Sequence, residues 1–186
     1  VNNTSTITEN RFSRVFGAPK ERTVAKVKDA MSQVVMDFIA RSPFLVMATS
    51  DPSGNCDASP KGGKPGFVRV LDDRRLIIPD VAGNKLFQSY LNMNDNPHVG
   101  LVFLIPGCND TVRVNGRVSI LSAQELEKLN IQLSISNPDD NSIQLQGILV
   151  DVDESYTHCP RALKFAELWN IDNIKDWQAA SSRRPA

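Results

Sequence analysis

Four stretches of this sequence carry residues that could do chemistry. The run Asp57-Ala-Ser-Pro-Lys-Gly-Gly63 combines a hydroxyl, a cation and two glycines. Glycine lets a backbone approach a ligand closely, and Lys61 supplies charge. The plainer alternative is a surface loop with a solvated lysine. In Ile78-Pro-Asp-Val-Ala-Gly-Asn-Lys85 a strand is expected to end in a turn, with Gly83-Asn84 opening a helix and Lys85 in its first turn. The first amides of a helix lack internal partners and carry partial positive charge, so such a start suits a phosphate. An ordinary Asn cap explains the same residues. It is not a Walker loop, because the glycine spacing and the Lys-Ser/Thr pair are missing.

The third stretch is Thr111-Val-Arg-Val-Asn-Gly-Arg-Val-Ser-Ile120. Side chains alternate along a strand, so Val112, Val114, Val118 and Ile120 share one face and Thr111, Arg113, Asn115, Arg117 and Ser119 the other. The polar face is either solvated, as in many antiparallel sheets, or a floor for an anion or the edge of a planar ring. The fourth is His158-Cys159-Pro160-Arg161. Zinc or a catalytic thiol is not expected there: the chain has two histidines, no Cys-x-x-Cys, and adjacent residues point apart. Nor is there a Gly-x-Ser-x-Gly elbow. No catalytic residue and no metal ligand is therefore named.

Composition narrows the classes further. Lys and Arg together number 21, as do Asp and Glu, so no global basic field exists to draw nucleic acid or an anionic membrane. Aromatic residues make up 6%, too few for a stacking platform on single strands. Three widely spaced cysteines argue against a disulfide framework and for a reducing, cytoplasmic setting. No apolar run approaches the length of a membrane span, and the first residues are polar, unlike a signal segment. At 186 residues the chain suits one domain, with an irregular arm over about 1–20 and a helical tail over about 160–186.

The elements that must position these stretches read as follows. Apolar residues at helical spacing predict a helix over 22–40, ended by Pro43. Strands are expected at Phe44–Thr49, Cys56–Ser59, Phe67–Leu71, Arg75–Pro79, His98–Ile105, Thr111–Leu121 and Gln144–Val152. Asp51-Pro-Ser-Gly-Asn55 and Asp72-Asp73 supply turns. Short helices are expected at Asn84–Leu91, from a capping box at Ser122–Glu125 to about Leu133, and at Pro160–Trp169. Short strands at hairpin spacing with helices at the edges predict a small antiparallel barrel rather than a βαβ sheet.

The order of these motifs is more specific than any one of them. Ser42-Pro-Phe-Leu-Val-Met-Ala-Thr-Ser-Asp-Pro-Ser-Gly54, Asp57-Ala-Ser-Pro-Lys-Gly62, Pro65-Gly-Phe-Val-Arg-Val-Leu-Asp-Asp73, Ile78-Pro-Asp80 with Gly83-Asn84, Asn96-Pro-His-Val-Gly-Leu-Val-Phe-Leu-Ile-Pro-Gly107, Thr111-Val-Arg-Val-Asn-Gly-Arg117 and His158-Cys-Pro-Arg161 follow one another. Over about residues 36–165 this resembles the FMN-dependent flavoproteins related to pyridoxamine 5'-phosphate oxidase. The resemblance implies a mainly β (α+β) fold, a six-stranded antiparallel split β-barrel with peripheral helices. It implies a homodimer with FMN at the subunit interface. Ser59, Pro60, Lys61 and Gly62 would lie along the flavin ring, with Ile78 and Pro79 continuing the pocket. Asn84 and Lys85 would hold the phosphate. Thr111 and Arg113 would reach the flavin from the other subunit, and Arg161, with His158 as a lesser candidate, would close the site.

Such a protein would be an FMN-dependent oxidoreductase acting on a small molecule. Lys61 and Arg113 would be the cations that stabilise the reduced ring. The oxidase proper carries Arg-Lys where this chain has Asn84-Lys85, and its C-terminal Trp and Arg motif has no counterpart in residues 172–186, so a substrate other than pyridoxamine phosphate is expected. The competing readings are a flavin carrier or sensor without turnover, and a split barrel holding another cofactor, the deazaflavin F420 or haem.

Overall fold

The computed structural model describes residues 9–81, 86–132 and 143–181. Its frame is one antiparallel sheet. The strands are β1 (Phe44–Ser50), β2 (Cys56–Gly62), β3 (Arg69–Val70), β4 (Arg75–Val81), β5 (His98–Leu104), β6 (Thr111–Ser122) and β7 (Gln144–His158), in the order β2-β1-β5-β6-β7-β4-β3. Among the described residues the sheet is open and has seven strands, one at each of the seven stretches expected from the local pattern, and not the six that the resemblance implies. The seventh is β3, a two-residue edge piece. Only Arg69 and Val70 pair with β4, because Phe67 and Val68 turn inward and are 2% exposed, while Leu71 N–H bonds back to the Arg75 carbonyl.

Alternation fixes the two faces. Leu45, Met47, Leu101, Phe103, Val112, Val114, Ile148 and Val150 point inward and are buried, as period-two patterning requires. The main core is completed by α3 (Gln33–Arg41), whose Val35, Phe38 and Ile39 recur on one helical face. A smaller cluster lies beyond it, where Ile77, Leu126 and Ile131 meet Leu121 and Leu149 under α5 (Ala123–Lys128). β6 and β7 lose register between Asn115 and Gly116, with one extra residue on β7, a bulge that sharpens the local twist.

Several expected helices are shorter or displaced. The segment 22–40 splits into α2 (Glu21–Val24) and α3, since Lys28 exchanges two backbone hydrogen bonds with Ser155 of β7 at 3.1 and 2.8 Å, and Met31 N–H bonds the Asp73 carbonyl. Backbone groups spent on the sheet cannot serve a helix. The helix expected over Asn84–Leu91 is α4, Gln88–Asp95; Phe87 precedes it in the left-handed region at φ 54°. The capping box at Ser122 and Glu125 is present, but α5 stops at Lys128 and Asn130 turns left-handed at φ 54°. The other helices among the described residues are α1 (Arg11–Phe16), α6 (Arg161–Phe165) and α7 (Ile171–Ser181). Trp169 Nε1–H donates to the Cys108 carbonyl at 2.8 Å and ties this tail to the β5–β6 turn. Among the described residues no helix is long and apolar enough to cross a membrane.

The surface turns make the fold acid-sensitive. Hydrogen bonds hold four carboxyls below their usual range: Asp51 through Asn55, Asp72 through Arg75, Asp29 through Arg74, and Glu125 through Ser122. A carboxyl depressed in the folded state stabilises it above the unfolded value, about 4, and that contribution is lost as pH falls through the folded value. The thermal midpoint should therefore fall as pH drops from about 5 to 3, by a small amount because none of the four residues is buried. Calorimetry at several pH values checks this, and a midpoint that rises on acidification contradicts it.

Candidate functional site

β2 and β4 are first and sixth in the sheet, with four strands between them. The sheet nevertheless curls until their side chains touch. Lys61 Nζ lies 2.7 Å from Asp80 Oδ1, and the two side chains are only 16% and 13% exposed. No backbone pairing joins the two strands, so the barrel is split here, and the split is a cleft of about 460 Å³. Its walls are Asp57–Gly62 of β2, Pro79–Val81 of β4, and Leu86–Tyr90 at the start of α4.

Polar contacts fasten α4 to both walls. Ser89 Oγ donates to Asp57 Oδ2 at 2.5 Å, and Tyr90 Oη donates to Asp80 Oδ2 at 2.7 Å. Asp80 thus takes Lys61 on one oxygen and Tyr90 on the other. Burial, and next the Asp80 carboxylate, push the Tyr90 phenol far above its ordinary value, so it remains a donor. Asn92 Nδ2 of the same helix reaches Thr49 Oγ1 at 3.1 Å. Strand alternation explains the β2 wall. Asp57, Ser59 and Lys61 pair with the inward-facing Thr49, Met47 and Leu45, and so point to the inner side. Ala58, Pro60 and Gly62 take the outer side.

The structure brings together Ser59, Pro60, Lys61, Gly62 and Pro79. Ile78 does not reach the cleft: its side chain is fully buried in the core. Asn84 and Lys85 lie outside the described residues. Thr111 and Arg113 do not line this chain's own cleft. They stand on the outer face of β6 beside Tyr156 and His158 of β7, with the Arg113 guanidinium 5.6 Å from the Tyr156 ring centroid. Arg161 opens α6 and lies 5.0 Å over the Phe165 ring. The residues not foreseen are Asp57, Asp80, Phe87, Ser89 and Tyr90. Period-two alternation from Lys61 would have picked out Asp57, but nothing local signals that Asp80 meets Lys61.

The outer face of the sheet has its own character. Phe44 is 36% exposed, Ala48, Ala58 and Pro60 are exposed, and Val46, Val102 and Leu104 are half-buried. The register aligns Pro60, Val46, Val102 and Arg113 in one row across four strands. An apolar face of this kind borders both the β2 wall of the cleft and Arg113.

An open antiparallel sheet curled into an incomplete barrel, with a cleft at its split, defines a split-barrel protein. The family model for pyridoxamine 5'-phosphate oxidase matches residues 31–158, and the chain belongs to that family. Among curated proteins, no sequence matches. Solved structures share the fold. A HupZ variant from Group A Streptococcus is 17% identical, with TM-score 0.51, over 69% of this chain and 99% of that one. A protein assigned as a pyridoxamine 5'-phosphate oxidase from Lactobacillus delbrueckii is 18% identical, with TM-score 0.51, over 69% and 95%.

Proposed function

We propose that this chain binds FMN in the cleft between β2, β4 and α4, as a homodimer, and serves as an FMN-dependent oxidoreductase for a small molecule other than pyridoxamine phosphate. The observation that carries the reading is the cleft itself. Its two walls are the segments whose motifs resemble the flavoprotein family, brought together from 19 residues apart by the curl of the sheet. Its volume is within the range of about 300–1,000 Å³ usual for small-molecule sites.

The residues suit a flavin. Pro79 and Phe87 offer apolar contact to a ring, and Ser59 and Lys61 offer donors at its polar edge. Bound FMN would supply the electron or hydride chemistry. The chain's task is to orient that group, exclude water and set the local charge. The described cleft residues include one cation and two carboxylates, Lys61 against Asp57 and Asp80. A phosphate would therefore need further charge, for which Lys85 of the same chain, and Arg113 and Arg161 from a second copy, are the candidates. The apolar outer face next to the cleft supports pairing of two copies, because an exposed patch of this kind marks an association surface.

Titration with FMN tests the proposal. The flavin's visible bands should shift and its fluorescence quench, saturating at one FMN per chain. Bound FMN should then be reduced by NADPH or NADH, and reoxidised by an added acceptor, faster than free FMN. A chain that leaves the FMN spectrum unchanged contradicts binding. Binding without faster turnover leaves a flavin carrier.

A further inference from the structure

The cation of the cleft is already paired. Among the described lining residues Lys61 is the only one with positive charge, and its ammonium sits 2.7 Å from Asp80. Both groups are largely withdrawn from solvent, where a charge pair is screened less than at the surface. The carboxylate is not free to swing away, since Tyr90 Oη holds its second oxygen at 2.7 Å. Tyr90 is itself fixed by its place in α4, and the neighbouring Ser89 is bonded to Asp57 on the opposite wall. Lys61 is thus pinned by a carboxylate that is pinned in turn. Its charge is cancelled within the site, and Asp57 leaves the described lining one unit negative, counting one lysine against two aspartates.

We infer that Asp80 is a counter-ion built into the cleft, a positioning residue that cancels Lys61 and so disfavours any ligand that gains negative charge there. The inference rests on the reading of the cleft as a flavin site. FMN carries more negative charge on its ring when reduced than when oxidised. A free lysine in the cleft would favour the reduced form, whereas a Lys61–Asp80 pair does not. The pair holds the bound flavin's potential down, and the balance of these two side chains determines which electron acceptors it can reduce. Lys61 alone, as the sequence suggests, would have the opposite effect.

The prediction is a ledger of charge. Asp80→Asn keeps an oxygen that can accept from Tyr90, removes the carboxylate and leaves Lys61 unpaired, so the pair site becomes one unit positive. Lys61→Met leaves Asp80 unpaired and makes it one unit negative. The double variant returns it to neutral. The measurement is the dissociation constant of oxidised FMN and of dithionite-reduced FMN, for each protein, at one pH and low salt. In Asp80→Asn, reduced FMN should bind about tenfold tighter relative to oxidised FMN than in the unaltered protein, which for a two-electron couple is a potential about 30 mV more positive. Lys61→Met should move the ratio the other way. The double variant should return to within about threefold of the unaltered protein, a recovery that loss of packing alone would not produce. Circular dichroism confirms that each variant is folded. If Asp80→Asn binds FMN with an unchanged or lowered ratio, or the double variant fails to recover, the inference is wrong while the flavin site stands. If the unaltered protein binds neither form of FMN, the functional reading falls and this inference with it.

Discussion

Replacing Val46 by Arg should dissociate the proposed dimer and abolish FMN binding while leaving the chain folded. Val46 is central in the outer row, between Pro60 of β2 and Val102 of β5, and its side chain points away from the core. It belongs to neither apolar core cluster, so an arginine there leaves the core intact. If a second copy covers this face, an arginine there would be buried without a partner, which costs several kcal/mol, on the order of a thousandfold in the dimer dissociation constant. FMN affinity should fall with it, because Arg113 and Arg161 of a second copy are then no longer supplied. Sedimentation velocity with and without FMN checks both effects, and far-ultraviolet circular dichroism checks the fold. A Val46→Arg protein that sediments and binds FMN as before would place the interface elsewhere.

The second large effect concerns the core that holds the cleft's strands in register. Phe103 of β5 is fully buried, and the strand register aligns it with Leu45 of β1 and Val112 of β6. Phe103→Ala should destabilise the fold by about 3–5 kcal/mol, through lost apolar burial and the cavity left behind. That is a large share of the roughly 5–15 kcal/mol that keeps such a domain folded. Urea denaturation at fixed protein concentration should show a lower midpoint with a similar slope. Ile120→Ala, at a position 41% exposed on the same face of β6 as Val112, should change the midpoint little by comparison. Equal effects at the two positions would contradict the division into core and rim.

The strands were readable because their signals are local. Alternation in residues 98–105 and 111–121, and the Asp51–Asn55 turn, are contained within a hairpin's length, and the structure follows them. The breaks were not readable, because their causes are distant in sequence. Lys28 leaves the helical pattern for Ser155, and Phe67 leaves the strand pattern to fill the core. The cleft shows the same division. Lys61 and Pro79 belong to recognisable motifs, but the meeting of Lys61 with Asp80 depends on the curl of five intervening pairings, and the anchoring of both walls by Ser89 and Tyr90 depends on where α4 begins. Ile78 shows the limit of carrying a motif across by position: it shares a strand face with Asp80 but lies two residues deeper, with its side chain fully buried in the core.

Native mass spectrometry of the protein mixed with FMN shows whether two copies enclose the flavin. The expected spectrum holds a species of two chains and two FMN molecules, lost together in Val46→Arg. A single chain free of flavin at saturating FMN would contradict it.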